Sequence, residues 1–470
     1  MKTVEPFDLL IRHGDVALPE GLAQVDVGVR GGRVAAIAPA LDAPAERTID
    51  AAGGLVFPGF IDPHTHMGIP IKETTSADDF ASGSVAAAFG GITTILDFTV
   101  QAPGQTLREA VDERLEKARG HSHVDFGIHV NITDRPLDHL HEIPRLIADG
   151  FTSFKLFSTY REAGMMIGWP EFRRVMREVG RHGGLVMLHA EDNEIVEAMT
   201  EQYLAEARSD AICHARSRPA EAEAKAVRDA AAIAGEEGAP LYIVHLSSRA
   251  GLEAGLAARA RGVQIYLETC PQYLLLTEDK YREEKGHYYI TTPALRTEAD
   301  ARALWQALAE GAIDTAGTDH CPFTAEQKEH HGGAFHLTPN GMPGVETLFP
   351  LLYTYGVAEG RISLKQMLDV LAENPARIFG IDHRKGSIRP GADADFVIWN
   401  PEAETVVTAP NLHGRADWSP FEGMRIAGRL EYTILRGEVL VEGDRFVGEN
   451  VQGRLLRARP LSERQPERST

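Results

Sequence analysis

Two histidines one residue apart, His64 and His66, end the stretch Gly59-Phe60-Ile61-Asp62-Pro63-His64-Thr65-His66. On an extended backbone, side chains two apart point the same way, so both imidazoles face one point. Two neutral nitrogens so placed suit a divalent transition metal. A lone His-x-His is also met in turns after buried strands, so other ligands must decide the matter. Candidates follow at the ends of further apolar runs: Lys155 in SFKLF, His189 in LVMLHA, His245 in LYIVHLS and Asp319 just after AIDTAGT. An ammonium is no metal ligand. A lysine buried near cations loses its proton easily, however, and adding carbon dioxide to the amine gives a carbamate whose two oxygens can bridge two ions. Spacing alone also allows a lysine that reaches out to water.

These residues need elements that bring them together. Strand-like runs occur at 55–62, 91–98, 124–132, 152–158, 185–190, 241–247, 263–269 and 312–318, separated by helical stretches such as Thr106 to Arg119 and Arg218 to Gly235. Eight strands alternating with helices predict a parallel (β/α)8 barrel, in which chemistry sits at the C-terminal ends of the strands. Four histidines, a lysine and an aspartate then meet at one mouth from five strands. Short strands at 7–12, 25–29 and 33–37 have counterparts at 395–399 and 432–440, which predicts one discontinuous β-sandwich domain from both chain ends. The expected division is 1–54 plus 385–450 for that domain, 55–384 for the metal-binding barrel, and a basic C-terminal tail at 451–470, read as disordered, with docking on a neighbouring subunit as the alternative.

The 470 residues suit a large barrel with a smaller module, and 43% apolar content is ordinary for a folded protein. A formal net charge of −20, spread along the chain, argues against nucleic acid or an anionic membrane as partner. No apolar run reaches the roughly 18 residues needed to span a bilayer. The opening MKTVEPFDLLIRHGD has no signal-peptide pattern. Scattered Cys213, Cys270 and Cys321 suit reduced thiols, so a soluble cytoplasmic protein is expected. Cys321, two residues past Asp319, reads as a small buried residue rather than a nucleophile.

In chain order, FPGFIDPHTHM, SFKLF, LHAED, VHLS and GTDHCPF resemble the cyclic amidohydrolases, and most closely their dihydropyrimidinase and hydantoinase branch. DLLIRHG and GSIRPGADADFVIW resemble that family's flanking β-sandwich, so the likeness covers nearly the whole chain. The resemblance implies two divalent ions, zinc by family habit: His64, His66 and Asp319 on one, His189 and His245 on the other, carboxylated Lys155 bridging them. It implies that Tyr160 donates to the substrate carbonyl and that Thr292 and Asn340 hold the ring through backbone atoms. The reaction implied is hydrolysis of the cyclic amide of a dihydropyrimidine or hydantoin to an N-carbamoyl amino acid. A metal-bridging hydroxide would attack, with Asp319 as general base and then acid. The resemblance further implies a homotetramer.

Dihydroorotases carry His-x-His-x-Arg, the arginine gripping a carboxylate; here that position is Gly68. Allantoinases follow the histidines with a polar run, whereas Met67-Gly68-Ile69-Pro70-Ile71 is apolar. Phe98, Phe157, Met165 and Met166 are expected to extend this wall, and the loop from Tyr160 to Trp169 to set substituent size and handedness. Thr-Pro-Ala-Leu-Arg at 292–296 replaces the family's Ser-Pro-Pro-Leu-Arg, which bears on the fit of the ring. The alternatives are an allantoinase or other cyclic-ureide hydrolase, a phosphoester or lactone hydrolase, and a non-catalytic scaffold resembling the collapsin-response mediator proteins. The intact ligand positions count against the last.

Overall fold

We describe residues 5–463 from a computed structural model. The apolar run expected as one strand at 55–62 is divided by Gly59. Leu55–Pro58 joins the sheet made by the chain ends, and Phe60–Thr65 is the first barrel strand. A Cβ at Gly59 would overlap Thr93 Oγ1, so a larger residue has no room where the chain passes between the two sheets.

The barrel strands are Phe60–Thr65, Ile92–Phe98, Asp125–Asn131, Ser153–Phe157, Leu185–His189, Leu241–Ile243, Ile265–Thr269 and Thr315–Ala316, each paired with the next. All seven pairings are parallel, and a bridge between Thr65 and His320 closes the ring. These strands are buried along their whole length, which is why they read as continuous apolar runs rather than alternating ones. Helices cover them outside. Leu107–Ala118 starts at a capping box between Thr106 and Glu109, and Ala220–Glu237 ends at Gly238 with φ +61°, a conformation that favours glycine.

The chain ends form one nine-stranded sheet, as their shared texture predicts. Phe396–Val406 pairs antiparallel with Leu55–Pro58, Phe396 opposite Pro58, and so joins the late strands to the early ones. The buried Lys385 ammonium ties sheet to barrel: it lies 2.6 Å from Asp125 Oδ2 on the third barrel strand and 2.6 Å from Asp395 Oδ2. The tail is held in place through 463, although it forms almost no regular secondary structure. Arg454 N donates to Asp125 Oδ1 at 2.7 Å, Leu455 bridges Phe126, and Leu456 N donates to Phe126 O at 2.7 Å. Leu456 is buried and Arg459 pairs with Asp382, so apolar burial and paired arginines hold the segment down. Arg464 and Arg468 of that tail lie outside the described residues. Among the described residues no helix is long and apolar enough to cross a membrane.

Candidate metal centre and substrate loops

His64 and His66 emerge from the end of the first strand and meet Asp319, which follows the short eighth strand. His64 Nε2 lies 3.3 Å and His66 Nε2 2.9 Å from Asp319 Oδ1. The other His64 nitrogen, Nδ1, donates to Glu268 Oε1 at 2.7 Å, which turns the Nε2 lone pair into the site. Burial drives the His64 imidazole well below its usual pKa, so it is neutral and able to ligate. Burial acts to raise the Asp319 carboxyl, but His64, His66 and Lys155 together outweigh it and hold it low.

His189 and His245 form a second pair, with His189 Nδ1 3.0 Å from His245 Nε2. His189 donates its other nitrogen's hydrogen to Glu191 Oε2 at 2.8 Å, and Arg218 Nη1 holds the same oxygen at 2.5 Å. Burial lowers both imidazoles. His245 and Asp319 both have positive φ, +40° and +54°, a conformation uncommon outside glycine and concentrated at functional sites. Lys155, buried on the fourth strand, has its nitrogen 5.0 Å from the Phe98 ring centroid and 5.2 Å from that of Phe157. Burial pulls its pKa down to about 8, against the opposing pull of Asp319 and Glu268.

The donor set fits divalent ions. Two nitrogens on one tetrahedral zinc at about 2.05 Å stand roughly 3.3 Å apart, close to the 3.0 Å between His189 Nδ1 and His245 Nε2, and the ligand atoms of His64, His66 and Asp319 all lie within 4.8 Å of one another. His64 Nε2 is buried without a hydrogen-bond partner, as a ligand atom awaiting an ion would be. His64, His66 and Asp319 could hold one ion, and His189 and His245 a second, with Lys155 close enough for its charge to bear on His64, His189 and His245 alike.

Tyr160, φ +70°, stands over this centre with its ring 5.1 Å from that of His189. Burial pushes its phenol up to about 12, so it is a donor at neutral pH. Thr292 lies beside it without a well-formed hydrogen bond to its Oγ1, and Asn340 Oδ1 is likewise unpartnered. The backbone is more informative. His214 Nε2 donates to Thr291 O at 2.7 Å, and Gly341 N to Ile290 O at 3.0 Å. The N–H and C=O of Thr292 and of Asn340 have no partner among the described residues. A cleft of about 440 Å³ opens here, lined in part by Tyr160, Asn340, His214, Arg218, Leu204 and Phe335.

The expected apolar wall is only partly there. Met67 is buried and packs towards Gly83, away from the mouth, while Arg114 Nη2 holds its carbonyl at 2.6 Å. Phe98 is floor rather than wall, stacked 4.9 Å from His66 beneath Lys155. Phe157 bridges Met166, which folds the 160–169 loop back on its own strand. Sequence reasoning passed over Glu268, Glu191, Arg218 and His214. A carboxylate inside the apolar run VQIYLET was the available signal for Glu268; nothing local marks the others.

A family profile for the amidohydrolases matches residues 55–440. The chain belongs to the amidohydrolase family. Within it this amidohydrolase falls with the hydantoinases and dihydropyrimidinases. It is 41% identical to a D-hydantoinase of Ralstonia pickettii over 97% of this chain and 100% of that one. It is 38% identical to an Escherichia coli D-phenylhydantoinase over 96% and 98% of the two chains. Its fold is similar to that of a dihydropyrimidinase from Brevibacillus agri, with a TM-score of 0.94 at 36% identity over 97% and 99% of the two chains. An L-hydantoinase from Arthrobacter aurescens gives 0.87 at 31%, over 96% and 99%.

Proposed function

We propose that this amidohydrolase opens a hydantoin or dihydropyrimidine ring to an N-carbamoyl amino acid at a centre of two divalent ions. The observation that carries this reading is the meeting of two imidazole pairs, Asp319 and buried Lys155 with two loops in which the backbone N–H and C=O of Thr292 and Asn340 have no partner among the described residues. A cyclic ureide edge alternates N–H and C=O, and the free groups of Thr292 and Asn340 complement it. His64, His66 and Asp319 would hold one ion and His189 and His245 the other, with Lys155, carboxylated by carbon dioxide, between them. When bound, the two ions, zinc in this reading, acidify water and polarise the scissile carbonyl.

The chain's own residues do the rest. Asp319 takes the proton of the attacking water and passes it to the departing ring nitrogen. Tyr160 donates its phenolic hydrogen to the carbonyl oxygen as that atom gains charge. Thr292 and Asn340 fix the ring so that one carbonyl carbon is presented to the water. The resemblance extends this reading to a cytoplasmic homotetramer, which sedimentation of the purified protein checks.

A hydrolysis panel on the zinc-loaded protein tests the function: dihydrouracil, hydantoin, aryl-hydantoins, allantoin and dihydroorotate. Activity on the first three is expected; activity confined to dihydroorotate or allantoin sinks the assignment. Lys155→Ala should lose most of the bound metal and nearly all the rate. Full metal content with full rate in that variant would rule out the bridging role.

A further inference from the structure

Lys328, in the short helix Ala325–Glu329, is fully buried, yet among the described residues no carboxylate meets its amine. Its Nζ donates to Ile290 O at 2.9 Å and to Pro339 O at 2.8 Å, and faces the rings of Phe323 and Trp418 at 5.5 and 6.0 Å. Burying an amine this way is costly, and a structural lysine of ordinary kind would reach water or an acid. The two carbonyls it grips belong to different loops, the one carrying Thr292 and the one carrying Asn340.

We propose that Lys328 is a positioning residue that sets the direction of the Asn340 backbone groups towards the substrate ring. This rests on the reading of Thr292 and Asn340 as ring contacts. A trans peptide is planar, with C=O and N–H on opposite sides. Holding Pro339 O from behind therefore aims the Asn340 N–H the other way. The next peptide is held likewise: Gly341 N donates to Ile290 O, which leaves the Asn340 C=O facing away from that bond. Ile290 O is the shared acceptor, so Lys328 and Gly341 together stitch the two loops at one point. Gly341 has φ +142°, and a Cβ there would overlap Cys321 O, so the backbone has no slack on that side. Both the amine and the ammonium have the two hydrogens this needs, so the device works in either protonation state.

Lys328→Met keeps length and apolar bulk but removes the donors. With a cyclic ureide from the panel, KM should rise about tenfold, the order expected when a buried acceptor loses its donor, while kcat stays within about threefold. Lys328→Gln, with two N–H donors on a shorter arm, should recover part of the loss. Hydrogen exchange should quicken across 338–344 and stay unchanged across 185–191, with two metals per chain retained. Unchanged KM and exchange in a metal-loaded Lys328→Met overturn the proposal. So does a failure of both variants to yield metal-loaded protein, which would make Lys328 a folding residue only. A wild-type protein inactive on every cyclic ureide overturns instead the functional reading beneath it, and the exchange experiment still reports whether Lys328 holds the loop.

Discussion

At the scale of single residues, Glu268 illustrates how one carboxylate serves several ligands. Its Oε1 receives hydrogens from His64 Nδ1 and from the His245 backbone at 2.8 Å, and its Oε2 receives the Tyr242 hydroxyl at 2.7 Å. Glutamine in its place would set an N–H against one of these donors and free the His64 ring to turn. Glu268→Gln should therefore weaken metal binding by about ten- to a hundredfold, read by competition with a chelator, with the fold intact by circular dichroism. The six candidate ligands were legible because strand ends in a barrel must converge, so His189 and Asp319 gain meaning from position alone. Arg218 and His214 were not, since each works on a neighbour's atom rather than on the centre. Lys328 reads in sequence as one more charged residue in AEQKEHH, and only the fold shows that it alone of its helix is buried.

At the scale of elements, the segment after Asn450 was the least legible. Its arginines and prolines read as solvent-exposed chain, and nothing in their spacing shows that Leu455 and Leu456 find a partner in Phe126. Only two large apolar side chains are involved, too few to give a periodicity. Leu456→Ala should cost about 2–5 kcal/mol, the usual range for emptying a buried leucine site, measured by urea denaturation. A loss near zero would mean that the segment packs less firmly than its burial indicates. The barrel strands were more readily found, although the sixth and eighth are short: Leu241–Ile243 and Thr315–Ala316. Their remaining length went into the turns that carry His245 and Asp319.

For the whole molecule, the interior charge cluster around Lys385 couples sheet, barrel and C-terminal segment. Asp125 is pressed upward by burial but held below the usual carboxylate range by Lys385 and Arg436. A carboxyl with a lowered folded pKa stabilises above its unfolded pKa of about 3.9 and loses that contribution as pH falls through the folded value. Stability should therefore drop as pH falls from about 5 towards about 3. Asp125→Asn, already weakened at neutral pH, should show a shallower acid slope in urea midpoints. Asp395, whose carboxyl burial raises, works in the opposite sense and offsets part of the acid loss.

The antiparallel contact of Leu55–Pro58 with Phe396–Val406 bears on how the chain is made. During synthesis the early strands emerge with one sheet edge uncovered, and its partner follows only after the entire barrel. An unpaired edge invites pairing with other chains. Nascent chains stopped before residue 396 should therefore aggregate, while the barrel, once folded, brings that edge and its late partner to the same side. Production of this protein should then depend on protection of one short strand while the ribosome completes the rest, read as a higher soluble yield when a chaperone that shields strand edges is supplied during synthesis.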